Sequence, residues 1–223
     1  MIALLLTYNY LRFDSFFEFG QRYQLSSFRV VKYFGPEYFL HNFRAYMVSA
    51  SRIDRHFPFF HLRTLQAPIF SVVYGEPVGG ALATAPLTGL AFLLIPIWIF
   101  QTSGRVQLDR SKPLAILATL FGLNGLVVVS FLSFFGGLTE RYVLEFVPSF
   151  LFSAILVWII LYQFLTALPP YRRALNLFLV LLLLFQLFLN LAVSLTGYYD
   201  NLLEYNPVAY RQIRSWFSFI EPR

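Results

Sequence analysis

The sequence predicts an all-α integral membrane protein with four transmembrane helices, preceded by an aromatic-rich extracytoplasmic cap and a partial fifth helix at the N-terminus. Three observations favour this class. Hydrophobic residues make up 58% of the 223 residues and charged residues only 13%, which is too apolar for a soluble domain of this size. Four uncharged stretches follow one another from residue 77 to residue 199. The short connections between them alternate between basic and non-basic.

The first ten residues are predicted to be the tail of a transmembrane helix. The run 1–7 is apolar but much shorter than the roughly 20 residues that a membrane span needs. It also lacks the basic start and the cleavage site of a signal peptide. We therefore expect the chain to be the C-terminal part of a longer protein.

Residues 11–76 are predicted to form the extracytoplasmic cap. Charged residues and all three histidines alternate here with many Phe and Tyr residues, so the segment suits neither hydrocarbon nor free water and is expected to lie against lipid headgroups or the helix bundle. Within the cap, residues 36–47 have the spacing of a short amphipathic helix with Pro36 in its first turn. The β-branched run 69–74 is consistent with an extended segment.

The predicted bundle, residues 77–199, contains four stretches long enough to cross a bilayer with some tilt: 77–104, 113–139, 146–171 and 174–199. Each ends at Gly, Pro or charged residues. A proline inside a span frees a carbonyl one turn earlier, so bends are expected near Pro86, Pro96 and Pro148.

The distribution of Lys and Arg predicts the topology. The connection after the first stretch and the one before the last are basic and belong on the cytoplasmic side, whereas the middle connection carries Arg141 between Glu140 and Glu145 and belongs outside. Four spans then place the cap and the tail, residues 200–223, on the extracytoplasmic side of the membrane.

Polar residues inside the stretches are most simply interhelical hydrogen-bonding groups, although a substrate cavity is an alternative. They are Asn124, Gln163 and a series of three at four-residue intervals, Gln186, Asn190 and Ser194. This series predicts that one side of the last helix faces protein. Charged residues of the kind that ion-coupled pumps use are absent from all four stretches.

The charged cluster between the second and third stretches, residues 136–148, has two interpretations. In the structural one, Thr139 caps a helix, Glu140 favours its positive end, and Arg141 pairs with Glu145 one turn later. In the functional one, Arg141 beside Tyr142 binds a lipid-linked phosphate through its guanidinium group. Residue types alone leave both interpretations open.

Other kinds of site have little support. The net charge is +6, but the basic residues are dispersed, which favours anionic membrane lipids as partners and not nucleic acid. Without cysteines, and with His41, His56 and His61 outside any ligand spacing, no metal site is expected. No nucleotide or serine-hydrolase motif is present, and no cofactor is expected. Arginines among the cap aromatics suit sugar and phosphate binding or headgroup contact equally.

Three segments resemble bacterial membrane glycosyltransferases of the GT-C type, also described as family-39-like. Residues 8–25, YNYLRFDSFFEFGQRYQL, are similar to a stretch that reads YNYxRFGSPxEFGYRYQL in those proteins, and residues 140–148 are similar to xRYLLDFxP. Residues 206–210 resemble their closing NPxxY. Asp14 and Phe17 stand where Gly and Pro are usual, and Glu145 replaces Asp.

The resemblance implies transfer of a sugar from a polyprenyl-phosphate donor to an acceptor outside the membrane. It also implies that the catalytic acid lies in an upstream loop, so this chain would supply the donor-binding side and be inactive alone. The residues expected to hold the lipid phosphate and sugar are Arg141 first, then Arg22 and Arg12, with Tyr142 and Glu140 beside them. The alternative is a non-catalytic polytopic scaffold or assembly subunit.

Overall fold

The computed structural model describes residues 2–16, 34–50, 52–62, 74–103, 111–196 and 201–219. The chain divides into two compact units, residues 1–31 and 32–223. The described helices are α1 (Ile2–Phe13), α2 (Pro36–Val48), α3 (Ala81–Thr84), α4 (Leu94–Thr102), α5 (Lys112–Ser133), α6 (Val143–Phe164), α7 (Pro169–Thr196), α8 (Asn201–Tyr205) and α9 (Pro207–Trp216). The described strands are β1 (Arg52–Ile53), β2 (Phe60–His61), β3 (Tyr74–Gly75) and β4 (Gly137–Leu138). The described 3₁₀ segments are Pro86–Leu93, which leads into α4, Glu140–Tyr142, which leads into α6, and Leu165–Ala167, which follows α6.

Unit 1 is described as one helix with a short extension. The helix α1 runs three residues beyond the predicted boundary at residue 10, and its end is closed by Asp14, whose φ of 51° lies in the left-handed region. The Asp14 N–H donates to the Tyr10 carbonyl, and Tyr10 stacks on Phe16 with ring centroids 4.7 Å apart. This arrangement is a left-handed helix C-terminus, a position that favours Gly and tolerates Asp.

The second unit is built on three helices that are long and apolar enough to cross a membrane, Lys112–Ser133, Glu140–Ala167 and Pro169–Leu195. This count refers to the described part of the chain. Many large apolar side chains on α5, α6 and α7 remain exposed. An exposed apolar surface of this extent is typical of a protein whose surroundings are lipid. The predicted helical membrane class is thus supported at this level.

The α5–α6 pair is the core of the bundle. Phe150, which is 1% exposed, lies over Gly125, where an added Cβ would be 3.1 Å from the ring. The Ser153 hydroxyl donates to the Ala118 carbonyl at 2.9 Å, and Asn124 donates to the Ser149 hydroxyl at 2.8 Å. Small residues therefore let the two helices approach closely, and the polar residues join them as the sequence predicted.

The first apolar stretch is not one continuous α-helix. Residues 77–80 are not helical, α3 is a single turn, and a 3₁₀ segment begins at Pro86. The freed backbone groups find side-chain partners on α7. Gln186 accepts from the Leu87 N–H at 3.3 Å, and Asn190 donates to the Thr84 carbonyl at 3.0 Å. The prediction that one side of α7 faces protein is thus confirmed for Gln186 and Asn190. Ser194 instead donates to the Leu191 carbonyl of the same helix.

Helix boundaries differ from the sequence prediction in three places. Helix α5, the second predicted span, ends at Ser133, six residues before the apolar run ends at residue 139. Helix α6, the third predicted span, begins at Val143 and so includes Glu145. Helix α7, the fourth predicted span, begins at Pro169, which places Arg172 and Arg173 inside its first turns. The predicted helix at 36–47 is confirmed as α2 with Pro36 at its start, and only Tyr74 of the predicted 69–74 extended segment is described, as the start of β3.

Candidate functional site

The candidate site is the chain reversal from α5 to α6, residues 134–142. After α5 ends at Ser133, β4 pairs in parallel with β3, with Tyr74 opposite Gly137. The N–H of Glu76 extends this pairing to the Leu138 carbonyl at 3.0 Å. The 3₁₀ turn Glu140–Tyr142 then leads into α6. Backbone bonds from a segment more than sixty residues away therefore define where α5 stops.

Helix α2 covers the end of α5. The fully buried Asn42 side chain donates to the carbonyls of Ser133 and Phe135, and Tyr46 donates to the Gly137 carbonyl at 3.4 Å. The Gly35 N–H donates to the Phe134 carbonyl at 2.9 Å. A helix leaves its last carbonyls without intrahelical partners, and here α2 and the residue before it supply them. The cap segment at 34–48 is thereby attached to the α5–α6 reversal.

Two glutamates tie the preceding loop to this reversal. The Glu76 carboxylate accepts from the Thr139 hydroxyl, and the Glu140 carboxylate accepts from the Gly79 N–H at 2.8 Å. Thr139 occupies the predicted cap position, but its hydroxyl bonds Glu76 and makes no cap bond to the turn. Both contacts link residues far apart in sequence, so they could not be predicted. One Glu140 oxygen is therefore engaged with backbone, which makes this residue a structural support of the site.

The side chains of Arg141 and Tyr142 have different surroundings although they lie on the same turn. Arg141 is exposed and has no hydrogen-bond or ion-pair partner among the described residues. The predicted pair between Arg141 and Glu145 is not among the ion pairs of the described residues, and both side chains are exposed. Tyr142 is half-buried and packs on Phe135 with ring centroids 6.5 Å apart. Arg141 therefore offers its guanidinium group outward from a turn held on both sides.

The other two predicted anion-binding arginines, Arg12 and Arg22, belong to unit 1. In unit 1, Arg12 donates to the Tyr8 hydroxyl at 3.0 Å and lies 5.0 Å from the Phe13 ring centroid. Arg22 lies outside the described residues. Within unit 2, the site rests on Arg141.

Two of the apolar cavities between the described helices are lined by neither Arg141 nor Tyr142. One, of about 150 Å³, is bounded by the first stretch, α5 and Phe150. The other, of about 390 Å³, lies among the 3₁₀ segment, α6 and α7, and Trp158 and Asn176 on its wall are hydrogen-bonded to each other at 3.4 Å. Apolar walls suit hydrocarbon chains and not sugars.

The histidines do not form a metal centre in the described part of the chain, where no three His, Asp or Glu side chains cluster. His41 is half-buried on α2, and this burial, assisted by Arg44, lowers its pKa. The backbone N–H of His56 donates to Asp54 and lowers the pKa of that carboxyl group. Both groups therefore keep their ordinary charge states near neutral pH, His41 uncharged and Asp54 ionised.

Comparisons with protein-family models, curated proteins and solved structures find no match to this chain.

Proposed function

We propose that the chain is the C-terminal part of a bacterial GT-C-type glycosyltransferase, in which Arg141 holds the phosphate of a polyprenyl-phosphate sugar donor outside the inner membrane. The observation that carries the proposal is the exposed guanidinium group of Arg141, which has no partner among the described residues, on a turn fixed by Glu140 and Thr139. A guanidinium group binds phosphate oxygens through two parallel charged hydrogen bonds.

Four spans are part of the proposal. Besides the three long helices, the remaining candidate for a span is Pro86–Thr102, which precedes them in the chain and has only 17 residues. Because eight of them are 3₁₀, with about 2.0 Å rise per residue instead of 1.5 Å, the segment is about 30 Å long. That length equals the usual hydrocarbon thickness.

The proposed topology agrees with which groups share an end of the bundle. Ser111, at the start of α5, donates to Gln163, at the end of α6, so Lys112 and the basic start of α7 lie at one end. The α5–α6 reversal, with Arg141, lies at the other end. Basic residues collect on cytoplasmic ends, which supports an outward-facing Arg141. The attachment of α2 to the reversal supports an extracytoplasmic cap.

One feature of unit 1 supports the resemblance. Asp14 occupies a left-handed position, with φ of 51°, where the resembling proteins usually carry Gly. Gly is the residue best suited to that conformation, and Asp is among the few others that adopt it readily. The most obvious departure from the family sequence is therefore conservative in conformation.

The proposed reaction displaces the polyprenyl phosphate from the anomeric carbon with inversion. An acceptor hydroxyl attacks, its proton passes to a carboxylate base that we do not assign to this chain, and Arg141 stabilises the negative charge that develops on the leaving phosphate.

A non-catalytic scaffold is the second candidate. The tight contact of Phe150 with Gly125 favours it, because it leaves no room for a donor between α5 and α6 at that level. Under this alternative Arg141 contacts only lipid headgroups.

A transfer assay distinguishes the two candidates. Membranes containing the complete gene product, and matched membranes from a deletion strain, are given a panel of polyprenyl-phosphate donors with radiolabelled sugars. We expect one donor to lose its label to a non-lipid or larger lipid product only when the protein is present. Equal label retention in both membranes for every donor would favour the scaffold.

A further inference from the structure

The C-terminal helix α9 has one apolar surface and a second, mixed surface that also exposes large apolar side chains. Asn206 caps the helix by accepting from the Ala209 N–H at 3.1 Å, and Pro207 occupies the first position, so the local sequence specifies a helix start there. Along the helix, apolar residues recur beside Arg211 and Arg214, and no acidic residue lies between residues 205 and 219. The helix is therefore basic and amphipathic.

One apolar surface is docked on the β1–β2 hairpin. The Tyr210 hydroxyl donates to the Phe57 carbonyl at 3.0 Å, and the Phe57 ring stacks on Phe217 with centroids 5.6 Å apart. Phe59 packs edge-on against Phe217 at 5.9 Å. These contacts join the tail to the cap and fix how α9 is turned about its axis.

The second surface is the strip of Val208, Gln212 and Trp216, and no protein covers it among the described residues. Val208 is 67% exposed and Trp216 is 63% exposed, although both are large and apolar. Tyr205 and Phe219, on either side of α9, are also exposed. Since α9 is fixed by the hairpin, this surface cannot turn inward.

The two arginines of α9 lie at different angles around the helix axis from this second surface. At 100° per residue, Arg214 is roughly 120° or more from both Val208 and Trp216, and Arg211 is roughly 60° from Val208. Both arginines are exposed. An exposed strip that carries Val and Trp around a single Gln, with Arg beside it, suits a helix that lies in the plane of a membrane surface.

The connection to α7 keeps α9 near the bilayer. The apolar span of α7 ends at Leu195, and ten residues, five of them in α8, separate α7 from α9. Helix α8 contacts both α7 and α9. A chain this short and partly helical cannot carry α9 far from the surface where α7 emerges.

We propose that α9 and the hairpin form an interfacial anchor, in which Val208 and Trp216 enter the headgroup region of an anionic bilayer and Arg211 contacts lipid phosphates. The anchor would hold the cap against the membrane. This inference is independent of the sugar-transfer reaction proposed above, and only requires that α7 crosses the membrane.

Site-directed spin labelling tests the anchor, because the chain has no cysteine and a single introduced one is unique. Val208→Cys, Trp216→Cys and the matched control Arg214→Cys, each in the full chain, are labelled with a nitroxide in vesicles of equal parts phosphatidylglycerol and phosphatidylcholine. Collisions with oxygen report lipid, and collisions with a water-soluble nickel chelate report water. We expect the oxygen-to-nickel collision ratio to be severalfold higher at 208 and 216 than at 214.

The same measurement has outcomes that overturn the proposal. Equal, water-like ratios at all three positions would show that α9 stands off the membrane. Low collision rates with both oxygen and nickel at 208 and 216 would show that another protein surface covers the strip. An unchanged ratio at 208 in vesicles of phosphatidylcholine alone would contradict the requirement for anionic lipid.

Discussion

Replacing Arg141 by Ala in the complete protein is expected to lower sugar transfer by about 100-fold or more, the usual loss when a group that stabilises developing negative charge is removed. The side chain is exposed and makes no contact with described residues that stability depends on. Expression, membrane insertion and thermal stability should therefore stay unchanged. The measurement is the initial rate of label transfer from the donor identified in the panel assay.

Two further variants sharpen this prediction. Arg141→Lys keeps the charge but loses the two-pronged geometry, so we expect intermediate activity. Arg173→Ala removes another exposed arginine at the opposite end of the bundle and should leave the rate unchanged. A fully active Arg141→Ala variant, or an equal loss in Arg173→Ala, would remove Arg141 from the site.

Replacing Gly80 by Ala is expected to destabilise the folded protein by about 3 kcal/mol, at the upper end of the range for overpacked sites. A Cβ at this position would lie 2.5 Å from the backbone N of Ser49 and 2.7 Å from that of Val48. Backbone atoms cannot move aside as a flexible side chain can. The Gly80 N–H also donates to the Ser49 carbonyl at 2.9 Å, so the loop before α3 and the end of α2 would separate.

Gly89→Ala is the matched control. Among the described residues, the only atom near its added Cβ is a Leu82 methyl at 3.7 Å, an ordinary contact, and we expect a change of less than about 0.5 kcal/mol. Thermal unfolding in detergent, followed by circular dichroism, compares the two variants. The midpoint should fall by about 5–10 °C for Gly80→Ala only. Equal midpoints would mean that α2 does not pack on this loop as described.

Local signals in the sequence predicted much of the helical content. Pro36 with apolar residues at helical spacing located α2, and the four-residue interval of Gln186 and Asn190 identified the side of α7 that faces protein. In both cases the information lies within two or three turns of one segment. The sequence is sufficient for such features because the pattern and its physical cause are both local.

The features that the sequence did not predict depend on distant contacts. The apolar run continues to residue 139, yet α5 ends at Ser133 because α2 and β3 supply partners for its last carbonyls and for β4. Glu140 was expected at the substrate, but its carboxylate meets the Gly79 N–H, 61 residues earlier. No local rule gives that pairing. The long 3₁₀ segment at Pro86–Leu93 likewise depends on side chains of α7.

We predict that the α5–α6 reversal, with Arg141, faces the outside of the cell. The most direct measurement labels single cysteines in intact cells with a membrane-impermeant maleimide, using Glu145→Cys beside the reversal and Ala174→Cys near the basic start of α7; both positions are exposed. We predict that Cys at 145 is labelled in intact cells, and that Cys at 174 is labelled only after permeabilisation. Labelling of 174 but not 145 in intact cells would contradict the account.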